Sequence, residues 1–212
     1  MNINTKEYWD QRFSSGNWEK LDGRSQTEDF ALEQIQYINL TREFCGTILD
    51  FGCGLGDAIP IYRKEFPRAK LIGLDLSESG IQICKARYVD IAEFIQGDYL
   101  SVPKVDVIIA SNVFEHLSND LEISRHLLAM CHDLYIAVPY KEYIIPNTEH
   151  INTYDECYFN KIKPCEWVVY NCKGWSQTGW YLFYNIYFKN IGRFILGKRI
   201  IKRNKQILFH FT

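Results

Sequence analysis

The feature that most constrains the fold is a regular alternation of short apolar runs with longer amphipathic stretches between residues 47 and 139. The apolar runs TILDF, KLIGLDL, AEFIQGD, VDVIIASN and DLYIAVPY have the length and composition of buried strands. Between them lie DAIPIYRKEF, SESGIQICKARY and SNDLEISRHLLAMC, which are typical of helices. Such alternation predicts βαβ units, in which the strands are parallel and helices cover both faces of the sheet.

Composition narrows the class of protein. The chain has 212 residues, 47% hydrophobic and 24% charged, which is typical of one globular domain. We identify no signal peptide in MNINTKEYWDQRF and no window with the roughly 18 apolar residues of a membrane span. The seven cysteines form no C-x-x-C pair and no cluster with metal-ligand spacing. We therefore expect a cytoplasmic protein with reduced thiols and no bound metal.

Polar side chains occur where four consecutive predicted strands end. Asp50 lies within the first strand, Asp75 ends the second, and Asp98 follows the third. Ser111 and Asn112 follow the fourth. Ligands of open parallel sheets bind at the carboxyl ends of the strands. The four strands therefore predict a polar ligand site at one edge of the sheet.

A glycine-rich turn, DFGCGLGD, follows the first strand and limits the kind of ligand. Glycines at such a turn let the backbone approach a ligand closely. A dinucleotide fingerprint would need its third glycine at position 57, where the chain has Asp57. A P-loop would need Gly-Lys-Ser/Thr after the glycines, and the sequence has none there. We therefore expect a ligand that is held through groups other than phosphates.

Four ordered motifs resemble a known family. ILDFGCGLGD, LIGLDLSESGI, GDYLSVP and IIASNVFEHLSN are similar, in order and register, to the successive motifs of class I S-adenosylmethionine-dependent methyltransferases. The resemblance covers roughly residues 40–140. EYWDQRF also resembles an N-terminal segment that closes over the cofactor in small bacterial members. Residues beyond 140 match only loosely.

The resemblance implies a doubly wound, Rossmann-like α/β fold. EWVVYNCKGW and KQILFHF would be a sixth and a seventh strand, giving a mostly parallel sheet with an antiparallel edge strand and helices on both faces. We expect residues 1–212 to form a single methyltransferase domain. It would contain an N-terminal helical cap over the cofactor (1–45), a cofactor-binding core (46–140) and an acceptor-side region (141–212).

The resemblance also implies S-adenosylmethionine as the cofactor and S-adenosylhomocysteine as its product. Asp75 would accept hydrogen bonds from the ribose hydroxyls, Asp98 would accept one from the adenine amine, and Arg12 would pair with the cofactor carboxylate. Alternatively, Asp75 and Asp98 only cap the segments that follow them. The residues expected to bind the cofactor are Tyr8, Trp9, Arg12, Asp50, Gly52, Cys53, Gly54, Gly56, Asp75, Leu76, Asp98, Tyr99, Ser111 and Asn112.

Two histidines are candidates for the catalytic base. A hydroxyl or ammonium acceptor must lose a proton during methyl transfer, and histidine suits that task. His150 lies in a polar loop after the fifth strand, and His116 belongs to the motif NVFEHL. We prefer His150, although His116 could serve and either residue could have only a structural role. Glu115, Glu149 and Asp155 could orient an imidazole or bind an amine.

Charge is distributed unevenly along the chain. Trp167 to Thr212 contains eight Lys or Arg and no Asp or Glu, whereas the rest of the chain has 16 basic and 26 acidic residues. The basic aromatic segment, residues 180–203, is interpreted as a helix packed on the sheet, as a lid for an anionic acceptor, or as a contact with an anionic membrane. Nucleic acid is a less favoured partner, because the whole chain is acidic with a net charge of −2.

The sequence therefore predicts methyl transfer to a hydroxyl or amine of a small polar, anionic metabolite, such as a phosphorylated compound or an activated sugar of a surface-glycan pathway. Two hypotheses from other classes remain. One is a non-catalytic partner subunit that binds the adenosyl cofactor. The other is an NAD-dependent oxidoreductase, against which Asp57 argues.

Overall fold

The computed structural model of the protein describes residues 3–142, 144, 148–163, 165–172, 183–198 and 205–212. Within these ranges, no helix combines the length and the apolar character that crossing a membrane requires.

The N-terminal region is helical up to residue 37. Its helices are α1 (Lys6–Ser14), α2 (Asn17–Lys20) and α3 (Gly23–Gln34), and a 3₁₀ turn (Ile35–Tyr37) follows α3. The Thr5 hydroxyl accepts a hydrogen bond from the Tyr8 N–H and so caps α1. Residues 38–46 form no helix, so the helical prediction for residues 1–45 holds only in its first part.

Seven strands form one sheet with helices on both faces. The strands are β1 (Thr47–Phe51), β2 (Lys70–Asp75), β3 (Glu93–Gln96), β4 (Val107–Ser111), β5 (Asp133–Pro139), β6 (Glu166–Asn171) and β7 (Lys205–Phe211). The connecting helices are α4 (Ile59–Glu65), α5 (Glu78–Tyr88) and α6 (Asp120–Met130). The strand order is β3-β2-β1-β4-β5-β7-β6, and β7 is antiparallel to both of its neighbours. The predicted fold class is confirmed, with the antiparallel strand lying beside the edge strand β6.

The central strands are mostly apolar because both faces of the sheet are buried. Ile48 packs into the cluster on one face, and Leu49, which points the opposite way, packs into the cluster on the other. Leu71 and Ile72 of β2 divide in the same manner. Full burial of such a side chain contributes about 1.5–3 kcal/mol to the stability of the fold. Because a shift of one residue would move each side chain to the opposite face, the two clusters fix the register of the strands.

The sheet topology sets the place of the site. From β1 the chain runs to β2 and β3 on one side, and then β4 and β5 continue on the other side of β1. The switch point of the topology therefore lies between the carboxyl ends of β1 and β4, where ligands of such sheets bind. Asp50 of β1 pairs in register with Gly73 of β2 and Ile109 of β4.

The described part of the basic aromatic segment is an exposed helix. A π-helical turn (Phe183–Phe188) continues into α7 (Lys189–Ile195). None of the described side chains in residues 183–198 is buried, and Phe194 and Ile195 are each 75% exposed. The described side chains therefore do not form the predicted apolar contact with the sheet. The rest of the segment, and the end of the predicted strand EWVVYNCKGW after Cys172, lie outside the described residues.

Candidate cofactor and acceptor site

A cavity of about 230 Å³ opens at the carboxyl ends of β1, β2 and β4 and is called the cleft below. Side chains from α1, from α3 and from the loops after β3 and β5 also line it. All the expected cofactor-binding residues except Tyr8 and Gly56 line the cleft, as do both candidate histidines. The strand ends therefore bring together the polar groups that the sequence placed there.

The glycine turn requires glycine for two different reasons. Gly52, Gly54 and Gly56 all have positive φ, at 75°, 54° and 76°. A Cβ on Gly52 would lie 2.4 Å from Val113 Cγ2, so this backbone is tightly packed against the loop after β4. A Cβ on Gly56 would instead approach Tyr88 and Cys84, at 3.0 and 3.1 Å. Gly56 therefore packs against α5 and does not line the cleft.

Asp75 is a buried carboxylate that organises the turn. Its Oδ2 accepts the Gly54 N–H at 2.8 Å, and its Oδ1 accepts the Ser77 N–H at 2.8 Å. Burial raises the pKa of Asp75 to about 6, although these two hydrogen bonds oppose the rise. Each oxygen retains a further lone pair, so Asp75 can hold the turn and accept hydrogen bonds from a ligand at the same time.

Asp50 lies deeper in the cleft, within β1. Burial and, secondarily, the charge of Asp75 raise the pKa of Asp50 to about 7. Among the ion pairs of the described residues, none gives Asp50 a cationic partner. A buried carboxylate in this position favours a ligand that brings a positive charge.

The part of the cleft formed by the glycine turn and the strand ends is called the cofactor side below. The loops after β3 and β4 complete it. Asp98 accepts the Leu100 N–H at 2.9 Å, so it has the predicted capping role and also lines the cleft beside Tyr99. Asn112 has a positive φ of 56°. Its side-chain oxygen accepts a hydrogen bond from Gln206 Nε2 at 2.6 Å, which ties the loop after β4 to β7.

Helix α1 is held against the cofactor side by a contact that sequence reasoning missed. Asp10 Oδ1 accepts hydrogen bonds from the Ser77 hydroxyl at 2.7 Å and from the Ser79 N–H at 3.0 Å, at the start of α5. Bonds from Lys6, Ser77 and Ser79 outweigh the effect of burial and lower the pKa of Asp10 to about 2. Asp10 lies within EYWDQRF, and its spacing from α5 carries no signal in a single sequence.

Helix α1 presents Trp9 and Arg12 to the cleft. Arg12 Nη1 lies 3.1 Å from Glu149 Oε1, and its Nε is buried without a hydrogen-bond partner. Tyr8 does not line the cleft, since its hydroxyl donates to Glu149 instead. The guanidinium therefore retains donor capacity, whereas Tyr8 supports Glu149.

The other part of the cleft, called the acceptor side below, lies where the loop after β5 meets the loop after β4. The Ile151 N–H donates to the Glu115 carbonyl at 2.8 Å, and Asn152 Nδ2 donates to the carbonyls of Phe114 and Leu117 at 3.1 and 2.6 Å. The Tyr154 hydroxyl also donates to the Phe114 carbonyl, at 2.8 Å. These bonds hold the loop after β5 against the 3₁₀ turn Phe114–His116.

The two candidate histidines meet there. Their ring centroids are 4.9 Å apart, and Trp9 contacts the His116 ring edge-on at 5.2 Å. His116 Nδ1 lies 3.1 Å from the Glu149 carbonyl, and His150 Nδ1 lies 2.5 Å from Glu142 Oε2. The sequence identified both histidines but gave no sign that they touch.

Their protonation differs because their surroundings differ. Burial, reinforced by His150, lowers the pKa of His116 to about 3, so His116 is neutral over the physiological range. Burial alone would lower the pKa of His150, but the bond to Glu142 and the charges of Glu115 and Glu149 raise it overall. Burial raises the pKa of Glu115 to about 7, and the charge of His150 opposes that rise.

Comparison with known proteins agrees with this geometry. Residues 48–133 match a family model described as a methyltransferase domain. The structure resembles that of a SAM-dependent methyltransferase from Aquifex aeolicus, with a TM-score of 0.62, 17% identity and coverage of 92% of this chain and 96% of that one. Residues 48–133 are thus similar to a methyltransferase domain, and the chain shares the fold of S-adenosylmethionine-dependent methyltransferases. The predicted family and cofactor are thereby confirmed.

Two curated relatives match this chain over part of its length. Trans-aconitate 2-methyltransferase from Rhizobium rhizogenes is 28% identical over 120 residues, which are 55% of this chain and 44% of that protein. Fatty-acid O-methyltransferase from Mycolicibacterium smegmatis is 39% identical over 61 residues, which are 28% of this chain and 22% of that protein. The chain thus spans less than half the length of either relative.

The residues of the cleft fit S-adenosylmethionine. Asp50 is a buried acid whose charge an ammonium would balance, and Arg12 retains a buried N–H without a partner that a carboxylate would satisfy. Asp75 retains acceptor capacity for ribose hydroxyls. Asp50 and Arg12 thus match the ammonium and the carboxylate of the methionine part of the cofactor. Asp75 matches the hydroxyls of its ribose.

Proposed function

We propose that the protein transfers a methyl group from S-adenosylmethionine to a hydroxyl or amine of a small anionic molecule. The observation that carries the proposal is the position of Glu115, His116 and His150, which line the same cleft as the residues that fit the cofactor. A hydroxyl or ammonium acceptor must lose a proton during methyl transfer, and carboxylate and imidazole groups beside the activated donor can receive it.

The cofactor side has the task of binding and orientation. Bound S-adenosylmethionine supplies a methyl group that is already activated by the sulfonium. Asp75, held by the N–H groups of Gly54 and Ser77, is rigid enough to orient a ribose. Trp9, on the docked helix α1, covers the cleft and limits the access of water.

The acceptor side has the task of receiving a proton. His150 is the first choice for that step because it lines the cleft and Glu142 orients its ring. His116 is the second choice, and its contact with Trp9 gives it a part in holding α1 as well. We assign the loss of the acceptor proton to this pair of histidines.

Two observations support an anionic acceptor. Both curated relatives are named for carboxylic acids, namely trans-aconitate and fatty acids. The chain from Trp167 to Thr212 carries only basic charges, which attract anions over distances of about 8 Å at physiological ionic strength. A phosphorylated compound or an activated sugar falls within the same class. An opposing feature is that Arg12, the one described lining residue with a permanent positive charge, is paired with Glu149.

A binding measurement and an acceptor screen together test this proposal. Calorimetry should show binding of S-adenosylmethionine and S-adenosylhomocysteine and none of NAD. Transfer of labelled methyl groups should then occur with at least one carboxylated or phosphorylated hydroxyl or amine compound. Cofactor binding without transfer to any acceptor would favour the non-catalytic partner subunit, and binding of NAD alone would favour the oxidoreductase.

The exposed helix supports a second proposal, contact with an anionic membrane. Phe188, Ile191, Phe194 and Ile195 are 60–75% exposed, and Lys189 precedes three of them. Exposed apolar and basic side chains on one short helix are typical of segments that lie in a membrane interface. The protein should sediment with vesicles of anionic phospholipid and not with neutral ones. Phe194→Ser and Ile195→Ser should reduce sedimentation, and if they do not, the helix is not the contact.

A further inference from the structure

Glu115, His116 and His150 form a cluster that the binding of an organic cofactor does not explain. One ligand atom from each residue, a carboxylate oxygen or a ring nitrogen, lies within 4.8 Å of the others. Glu115 is fully buried, and neither of its carboxylate oxygens has a hydrogen-bond partner. A buried carboxylate with no partner is costly, which indicates that something positive or hydrogen-donating belongs beside it.

The rings of the two histidines are already oriented. Nδ1 of His116 faces the Glu149 carbonyl, and Nδ1 of His150 faces the Glu142 carboxylate. In metal sites, the histidine nitrogen that does not bind the metal usually donates to a carbonyl or a carboxylate in this way. Nε2 is therefore the nitrogen that each ring would present to a metal.

The cluster is also held in place before any ligand binds. The bonds from Ile151, Asn152 and Tyr154 fix the loop that carries His150 against the turn that carries Glu115 and His116. Metal bonds of about 2.0–2.2 Å require ligand atoms within roughly 4 Å of one another. A small movement of the side chains is enough to reach that spacing from 4.8 Å.

We propose that Glu115, His116 and His150 bind one divalent first-row transition-metal ion, such as Zn²⁺, Mn²⁺ or Fe²⁺. Two imidazoles and one carboxylate suit these ions, whereas Mg²⁺ and Ca²⁺ prefer oxygen ligands throughout. Three protein ligands leave coordination positions open toward the cleft, as catalytic metal sites do. This proposal departs from the expectation, drawn from sequence spacing, that no metal is bound.

The proposal rests on the proposed function and deepens it: with both imidazoles bound to the ion, the ion activates the acceptor and solvent takes the proton in place of the histidines. An ion at this cluster would place positive charge beside the acceptor hydroxyl, which favours loss of its proton to solvent. The oxygen then forms a bond to the methyl carbon as the bond from that carbon to sulfur breaks. The same charge offsets Glu115, Glu142 and Glu149, and so makes this acidic part of the cleft compatible with an anionic acceptor.

The test is metal binding by the full chain, purified without a histidine tag and stripped with a chelator. Calorimetry with Zn²⁺ and Mn²⁺, and the visible absorption of added Co²⁺, should each indicate one site per chain. Glu115→Gln and His150→Ala should each weaken binding at least 10-fold, and Glu142→Gln should weaken it about 10-fold. His132→Ala is the matched control, because His132 lies beside Asp106 with its side chain 82% exposed, and it should bind as the wild type does.

Two results would overturn the proposal. One is the absence of stoichiometric metal binding, and the other is binding that persists unchanged in both Glu115→Gln and His150→Ala. Calorimetry with S-adenosylhomocysteine in the presence of chelator shows whether each variant is folded. An assay of methyl transfer with and without chelator separates the two proposals. Transfer at full rate without metal would exclude the catalytic role of the ion and leave the proposed function intact.

Discussion

The cofactor side and the acceptor side of the cleft are built in different ways. On the cofactor side the bonds that fix the key acids are mostly local: Asp75 accepts from Ser77 and Asp98 accepts from Leu100, each two residues away. On the acceptor side they are long-range, since Asn152 is bonded to Phe114, 38 residues earlier. The cofactor side is therefore determined mainly by strand ends, and the acceptor side by the packing of loops. A change on one side should leave the other largely intact.

The largest expected effect separates the two sides directly. His150→Ala should lower turnover by about 100- to 10,000-fold, because it removes either the base that receives the acceptor proton or a ligand of the proposed metal. Cofactor affinity should be preserved. Steady-state kinetics and calorimetry measure the two quantities. His116→Ala should also weaken cofactor binding, since His116 contacts Trp9 of α1. Full activity in His150→Ala would transfer the role to His116 or to no histidine.

The next effect lies on the cofactor side. Asp75→Ala should weaken cofactor binding by roughly 10- to 150-fold, because each charge-assisted hydrogen bond to the ribose contributes about 1.5–3 kcal/mol. Calorimetry with S-adenosylhomocysteine measures the loss. Asp75→Asn is the companion variant: it removes the charge and keeps one acceptor oxygen, which can serve only one of the Gly54 and Ser77 N–H groups. Unchanged affinity in Asp75→Ala would remove this residue from the site.

The same contrast explains what the sequence could and could not predict. The order of βα units, Asp75 at a strand end and Asn112 after β4 all follow from local pattern, and the structure has them where they were expected. The contact of His150 with His116 depends on the loop after β5 folding back onto residues 114–117. No periodicity encodes such a contact, and neither does any spacing. The bond from the Tyr8 hydroxyl to Glu149 is of the same kind, because only the fold brings Glu149 close to Tyr8.

Buried acids make cofactor binding depend on pH. Asp50 has a pKa raised to about 7 by burial and by Asp75, and an ammonium binds only its ionised form well. Cofactor affinity should therefore fall as pH decreases below 7, by up to about tenfold per pH unit. Asp50→Asn should show weaker binding with little dependence between pH 6 and 8. Calorimetry at several pH values checks this, and a wild-type affinity that is constant from pH 6 to 8 would contradict it.

The same residue should lower the stability of the ligand-free protein. Burial raises the pKa of Asp50 to about 7 in the folded state, above the 3.8 of an exposed aspartate, so the folded state binds more protons. Ionisation of Asp50 therefore lowers the free energy of unfolding. This loss is absent below the pKa of the unfolded state, grows as the pH rises toward 7, and reaches its full value of at most about 4 kcal/mol above pH 7. Thermal melting should show Asp50→Asn to be more stable than wild type at pH 8, with the difference vanishing near pH 4. Asp98→Asn, an exposed change, should show no such trend.

The smallest effect concerns Asp10, which couples the N-terminal helix to the cofactor side. Asp10→Ala removes the bonds to Ser77 and Ser79, each contributing about 1 kcal/mol, and so loosens α1 without touching a strand end. Because Trp9 and Arg12 lie on the same helix, cofactor affinity should fall roughly 3- to 10-fold. Amide hydrogen exchange should become faster in α1 and stay unchanged in β1. Gln11→Ala, an exposed change on the same helix, is the control and should alter neither. If Asp10→Ala exchanged as slowly as wild type, α1 would be held by Phe13 against Gly54 and Gly80, and the polar contact would be dispensable.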